Sequence, residues 1–288
     1  MNVSDGVLGP APRRGLLNRG PLLLAFIRRD WKIAISYKLA FATQVIQSVV
    51  TLAFLYFLGH LVDTTRAIHL GGSASLRLGY FPFAVLGVAL LGVVSTELRT
   101  VSGQIRSDQT TGTLEALLSM PPPPSVTVAC GVAFQLLYSA IIAVATVLIA
   151  VVFFGMRFHA TLASGLFALA GLAVSFPLFV SLGVAFASAV VVFKRGGTFF
   201  GFVVTGFSLF GGVYYPTSTL SRPLQLVAHV LPFTWALDVI RGGLLEARPR
   251  WGELGLLVGV SAVLVPLSLR VFTAAVAHAR RRGTLGQY

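Results

Sequence analysis

Asp238 and Arg241 stand three residues apart in a stretch that is mostly apolar, aromatic or helix-breaking. On a helix that spacing sets opposite charges side by side, and at membrane depth a carboxylate exists most simply when paired. The two are therefore expected to pair and to hold a turn. A second kind of chemistry is uncharged. Gln44, Gln47, Ser48 and Thr51 recur at i, i+3, i+4 and i+7 in one apolar run, and Gln135, Tyr138, Ser139 and Thr146 make a similar stripe in another. Such stripes line a route for an amphiphile or hydrogen-bond between helices, the latter at about 0.6 kcal/mol apiece, and the two roles can coexist. A third pattern suits docking. Leu114, Leu117 and Leu118 share one face of a short segment whose Thr113 and Glu115 stay wet, and four prolines, Pro121 to Pro124, close it. That segment is too short and too polar to cross a bilayer, and is expected to lie in a groove of a partner.

Signatures of covalent chemistry are missing. His60, His69, His159, His229 and His278 fall at the ends of apolar runs or in loops, with no H-E-x-x-H and no G-x-S-x-G elbow. No catalytic residue and no metal site is expected. Cys130 is the single cysteine, which excludes an internal disulfide or a Cys-based metal cluster. Without a G-x-x-x-x-G-K-[ST] phosphate loop, any ATP that drives this chain is hydrolysed on another one. Glu97, followed by Arg99 at the end of the second run, reads either as the anchor of a hinge or as a solvated charge at a helix end.

The elements that must position these residues are membrane helices. With 56% hydrophobic and 11% charged residues, the chain has more apolar surface than one soluble core hides. Runs long enough for the roughly 30 Å hydrocarbon layer begin near Leu39, Tyr80, Val126, Leu162, Thr198 and Trp251. Six spans leave both termini on one side. Fifteen Lys and Arg then fall on that side against seven on the other, which makes it the cytoplasm. The net charge of +13 follows from this topology and from anionic headgroups, so nucleic acid is not an expected partner.

Four units are expected along the chain. Residues 1–20 read as a disordered cytoplasmic tail, 21–38 as an amphipathic interfacial helix with Leu23, Ile27 and Trp31 opposite Arg28, Arg29 and Lys32, 39–275 as one six-span domain, and 276–288 as a basic cytoplasmic tail. Ahead of the last span, Pro216, Pro223 and Pro232 cut the chain into pieces too short to cross, so it dips in from the outside and returns.

The phrase TGTLEALLSMP resembles the cytoplasmic coupling segment of ABC-2 type permeases, the membrane subunits of ATP-binding-cassette exporters. GVYYPTSTLSRPLQLVAHVLPFTWALDVIRGGLL resembles the re-entrant helices of the same family, with its LP-x-T-x-x-x-D-x-x-R phrase standing as Leu231, Pro232, Thr234, Asp238 and Arg241. The resemblance implies an all-α integral membrane protein with six spans, an interfacial helix, a coupling helix and extracellular re-entrant helices. It implies an export permease for a bulky amphiphile such as a drug, a lipid-linked molecule, a glycolipid or a polysaccharide. Thr113, Leu114, Glu115, Leu117 and Leu118 would take the push from the ATPase, and Gln44, Gln47, Ser48 and Thr51 would line the pathway. The implied partners are two copies of a separate ABC ATPase that carries ATP and Mg, a second permease copy in a homodimer or heterodimer, and the bilayer itself. The implied location is a bacterial cytoplasmic membrane. An ion-coupled secondary transporter or channel is the alternative class, disfavoured by spans almost free of ionisable residues.

Overall fold

The computed structural model describes residue 28 and residues 38–65, 79–110, 124–193 and 197–281. Among them every regular element is a helix. In chain order these are α1 (Lys38–Thr65), α2 (Tyr80–Thr110), α3 (Pro124–Phe154), α4 (Leu162–Phe193), α5 (Gly197–Phe210), a 3-10 turn (Thr217–Thr219), α6 (Arg222–Val230), α7 (Pro232–Leu244) and α8 (Trp251–Arg281). The tail 1–20, nearly all of the interfacial helix, the docking segment 113–119 and residues 282–288 lie outside the described residues.

Among the described residues, five helices carry apolar stretches long enough to cross a membrane: Ala42–Leu61, Tyr80–Thr100, Gln135–Phe154, Leu162–Phe186 and Trp251–Ala275. Apolar runs of this length become helices because lipid offers no partner for a backbone N–H or C=O. The fifth run behaves differently from the expectation of a full span. Helix α5 has 14 residues, about 21 Å at 1.5 Å per residue, against roughly 30 Å of hydrocarbon. It stops at Gly211 and Gly212, the latter at φ +77°, a left-handed conformation that ends a helix at little cost only for glycine.

Beyond that turn the prolines act as the sequence suggests. Ser221 occupies the N-cap position of α6, Pro232 opens α7, and the two helices meet at 82°. The turn before α6 and the turn after α7 lie at the same end of the bundle. Gly212 is tied through Arg241 to Phe83 near the start of α2, while the carbonyl of Leu244 accepts from the backbone N–H of His159 in the α3–α4 connection. Both flanking turns thus sit at one end of the bundle, and the described helices give five spans, or six if this bent pair counts as one.

Helix α2 is the centre of the bundle. Its span is 61% buried, against 17% for each of α1, α3 and α8, so those three are the outer helices of the described bundle. Val85, Val94 and Leu98 of α2 are fully enclosed, whereas Phe54, Phe57, Phe153 and Val263 project outward. Aromatic rings seal two places. Tyr56, Phe81 and Phe154 join α1, α2 and α3, and Phe179, Phe207 and Phe233 join α4, α5 and α7. Close approach of α7 to α4 depends on glycine: a Cβ on Gly171 would stand 2.3 Å from Val239 Cγ1, and one on Gly243 2.5 Å from the Ser164 oxygen. Helix α8 packs along α4, where Ser261 Oγ donates to the Val174 oxygen at 3.4 Å, close to the interior Pro177.

Candidate functional site

The two polar stripes face one another. Gln44, Gln47, Ser48 and Thr51 of α1 and Gln135, Tyr138, Ser139 and Thr146 of α3 line one cavity of about 590 Å³, floored by Val88, Ala89, Gly92, Val93 and Thr96 of α2. Tyr138 donates its hydroxyl to Gln44 Oε1 at 3.0 Å, which bridges the two outer helices. Several hydroxyls are already satisfied by their own helix: Ser48 donates to the Gln44 carbonyl, Thr96 to Gly92, Ser139 to Leu136 and Thr146 to Ile142. That local bonding lets Ser139 and Thr146 be buried without penalty while keeping acceptor capacity at the wall. The cavity is lined by the first half of α1 (residues 43–52) and by the middle of α2 (88–96) and of α3 (135–146). Helix α2 runs on past Thr100, the end of its span, to Thr110, three residues short of Thr113.

A second cavity, of about 820 Å³, lies where α2 starts, between the bent α6–α7 pair and the start of α8. Along α2 the nearest lining residues of the two are Phe83 here and Val88 there, about 7.5 Å apart on its axis. Asp238, Arg241, Glu246, Arg250 and Glu253 contribute the charges. Arg250 Nη2 donates to both carboxylate oxygens of Glu246 at 3.2 Å, and its Nη1 approaches Glu253 at 4.0 Å. Burial works to lower the Arg250 guanidinium, but the charges of Asp238 and Glu246, the hydrogen bond from Glu246 and the charge of Glu253 hold it above its ordinary value. Trp235 Nε1 donates to the His229 carbonyl at 2.8 Å and the Tyr215 hydroxyl to the Leu209 carbonyl, so these two aromatics also fasten the turn.

Arg241 does not make the contact its spacing from Asp238 suggests. Its Nη1 donates to the Gly212 oxygen at 2.9 Å, and its Nη2 to the oxygens of Phe83 at 2.7 Å and Val213 at 3.2 Å. No hydrogen bond or ion pair within 4.0 Å joins it to Asp238. The physical reason is competition. The 211–213 turn leaves carbonyls without helical partners, and a guanidinium with five N–H groups in a planar fork suits several such acceptors at once. Asp238 instead lines the open cavity, within electrostatic reach of both Arg250 and Arg241. Passage of the guanidinium requires Gly87, where a Cβ would stand 2.6 Å from the Val213 oxygen and 3.0 Å from Arg241 Nη2.

Glu97 differs from the solvated reading. It is 1% exposed, and neither carboxylate oxygen has a hydrogen-bond partner among the described residues. Sequence reasoning overlooked Thr96 and Gly87, both on α2. Thr96 is followed directly by Glu97 and Arg99 and so resembles a helix end, and nothing near Gly87 in the chain announces the Val213 carbonyl. No group of three or more His, Cys, Asp or Glu side chains able to hold a metal ion occurs among the described residues.

Residues 21–245 match the protein-family profile for the ABC-2 type transporter. A comparison with curated proteins gives no match.

Proposed function

Because this chain belongs to the ABC-2 type transporter family, and is thus a multi-pass membrane permease subunit, we propose that it exports a bulky amphiphile under the power of a separate ABC ATPase. Two ATPase copies, carrying ATP and Mg, would act on a dimer of permease chains. Their closure would displace the segment around Thr113, Leu114, Glu115, Leu117 and Leu118, and α2, which ends three residues before it, would carry the displacement to the cavity floor at Thr96. The termini would be cytoplasmic, in a bacterial inner membrane.

The observation that carries this reading is the convergence of the two polar stripes on one cavity whose floor is α2, the helix that precedes the docking segment in the chain. A route for an amphiphile needs a polar wall beside apolar surface, and α1 and α3 supply both. The re-entrant pair, pinned by Arg241, would cap the far end of the route.

One observation favours the ion-coupled alternative: Glu97 is a buried carboxylate in a membrane helix, a residue type that marks ion and proton pathways. A single experiment separates the two. Reconstituted vesicles containing the permease and its ATPase should accumulate substrate only with ATP and Mg, and at an unchanged rate when proton and sodium gradients are collapsed. Transport that follows a gradient and ignores ATP would overturn the exporter reading in favour of the carrier.

A further inference from the structure

We infer that the α1–α3 cavity selects amphiphiles whose headgroup is uncharged and rich in hydroxyl or amide groups, an inference that rests on the cavity being the transport route. Among the described residues that line it, none is Asp, Glu, Lys, Arg or His. The polar wall consists of amides and hydroxyls, chiefly Gln44, Gln47, Gln135, Tyr138, Ser139 and Thr96. A charged headgroup entering such a place would lose hydration with no counter-ion to replace it, and that cost exceeds what neutral dipoles return. An uncharged hydroxylated headgroup meets the opposite situation. The amides of Gln44, Gln47 and Gln135 bring N–H donors to the wall, and the hydroxyl oxygens of Tyr138, Ser139 and Thr96, whose protons go to Gln44, Leu136 and Gly92, keep acceptor capacity, so such a headgroup can exchange water for protein one bond at a time.

The apolar part of the ligand has its own place. Leu52, Val88, Val93 and Ile142 share the same cavity, and the neighbouring Ile46, Val50, Ile141 and Val144 are exposed on the outside of the described bundle. A volume near 590 Å³ falls in the range of small-molecule sites. The contrast with the second cavity sharpens the point. There, five charged side chains line the wall, so the chain holds charge beside the start of α8 and excludes it from the α1–α3 cavity.

The test uses the full chain in lipid nanodiscs and a fluorescent dodecyl glucoside as probe. Competitors share the dodecyl chain and carry glucose, sulfate or trimethylammonium as headgroup. The glucoside should displace the probe at concentrations at least about tenfold below either charged competitor, a difference of about 1.4 kcal/mol. Gln47→Glu should raise the potency of the trimethylammonium competitor about tenfold, and Gln47→Lys that of the sulfate. Gln47 is exposed to the cavity, so neither variant disturbs the packed core. Equal displacement by all three headgroups, or an unchanged order in both variants, would overturn the inference. Binding here requires no ATPase. Lost headgroup order with ATP-driven export intact therefore contradicts this inference alone, whereas preserved order without ATP-driven export contradicts the exporter reading.

Discussion

Arg241 Nη2 donates to the Phe83 carbonyl at 2.7 Å while the same guanidinium lies 3.4 Å from the centre of the Phe83 ring, so one residue of α2 receives both the hydrogen bond and the cation. Hydrogen bonds to a charged group contribute about 1.5–3 kcal/mol each. Arg241→Ala should therefore lower stability by about 3 kcal/mol or more, read as a fall in the thermal midpoint in detergent. Arg241→Lys should recover only part, since an ammonium cannot span Gly212, Val213 and Phe83 together. A midpoint unchanged in Arg241→Ala would mean the turn is held by other contacts.

Asp238→Ala should be milder, and because the two interact through charge without a direct contact, its coupling to Arg241→Ala should be about 0.5–1 kcal/mol, below the roughly 3–5 kcal/mol of a broken buried ion pair. Strong coupling between the two, measured in a double-mutant cycle, would restore the direct ion pair that the i, i+3 spacing suggests and would contradict the carbonyl geometry.

Gly87→Ala places a methyl 2.6 Å from the Val213 oxygen, and backbone cannot yield as a flexible side chain does. A loss of about 1–3 kcal/mol is expected from such overpacking. Gly92→Ala, where a Cβ meets nothing within 4 Å, is the control and should be neutral or slightly stabilising. Equal behaviour of the two would refute the close approach of the 211–213 turn to α2.

These contrasts mark what the sequence can and cannot carry. Helical periodicity places Gln44, Gln47, Ser48 and Thr51 on one face from the sequence alone, and does the same for the α3 stripe. That the two faces meet across Thr96 is a tertiary fact with no local signature. The prolines announce the breaks at α6 and α7 because their effect is covalent and local. Arg241 misleads for the opposite reason: Asp238 is visible as a side chain, while the carbonyls of Gly212, Val213 and Phe83 are backbone groups that any residue carries. Glu97 likewise reads as a helix end until the packing of α2 at the bundle centre is known.

Burial of both Glu97 oxygens without hydrogen-bond partners among the described residues costs stability. Glu97→Leu should gain about 1–3 kcal/mol in detergent, and under the exporter reading Glu97→Gln should leave ATP-driven transport near the wild-type rate. Abolished transport in a folded Glu97→Gln protein would make this carboxylate part of the machinery.

Coupling and topology are tested together. Leu117→Asp should reduce co-purification with the ATPase at least about tenfold while the permease stays folded, since a charge on the docking face loses its apolar contact. A cysteine near Ser73 should react with an impermeant thiol reagent added outside, and one near Asp108 should not. The reverse pattern would invert the membrane orientation and remove the docking segment from the cytoplasm.

The central claim is that substrate passes through the cavity between α1 and α3. Gln47→Trp fills that cavity from its open side without touching the core, the Arg241 turn or the docking segment. Rates of ATP-dependent transport into inverted vesicles, at equal permease level and equal ATPase association, should fall at least about tenfold. Transport by Gln47→Trp at the wild-type rate would show that the substrate takes another path and would contradict the account.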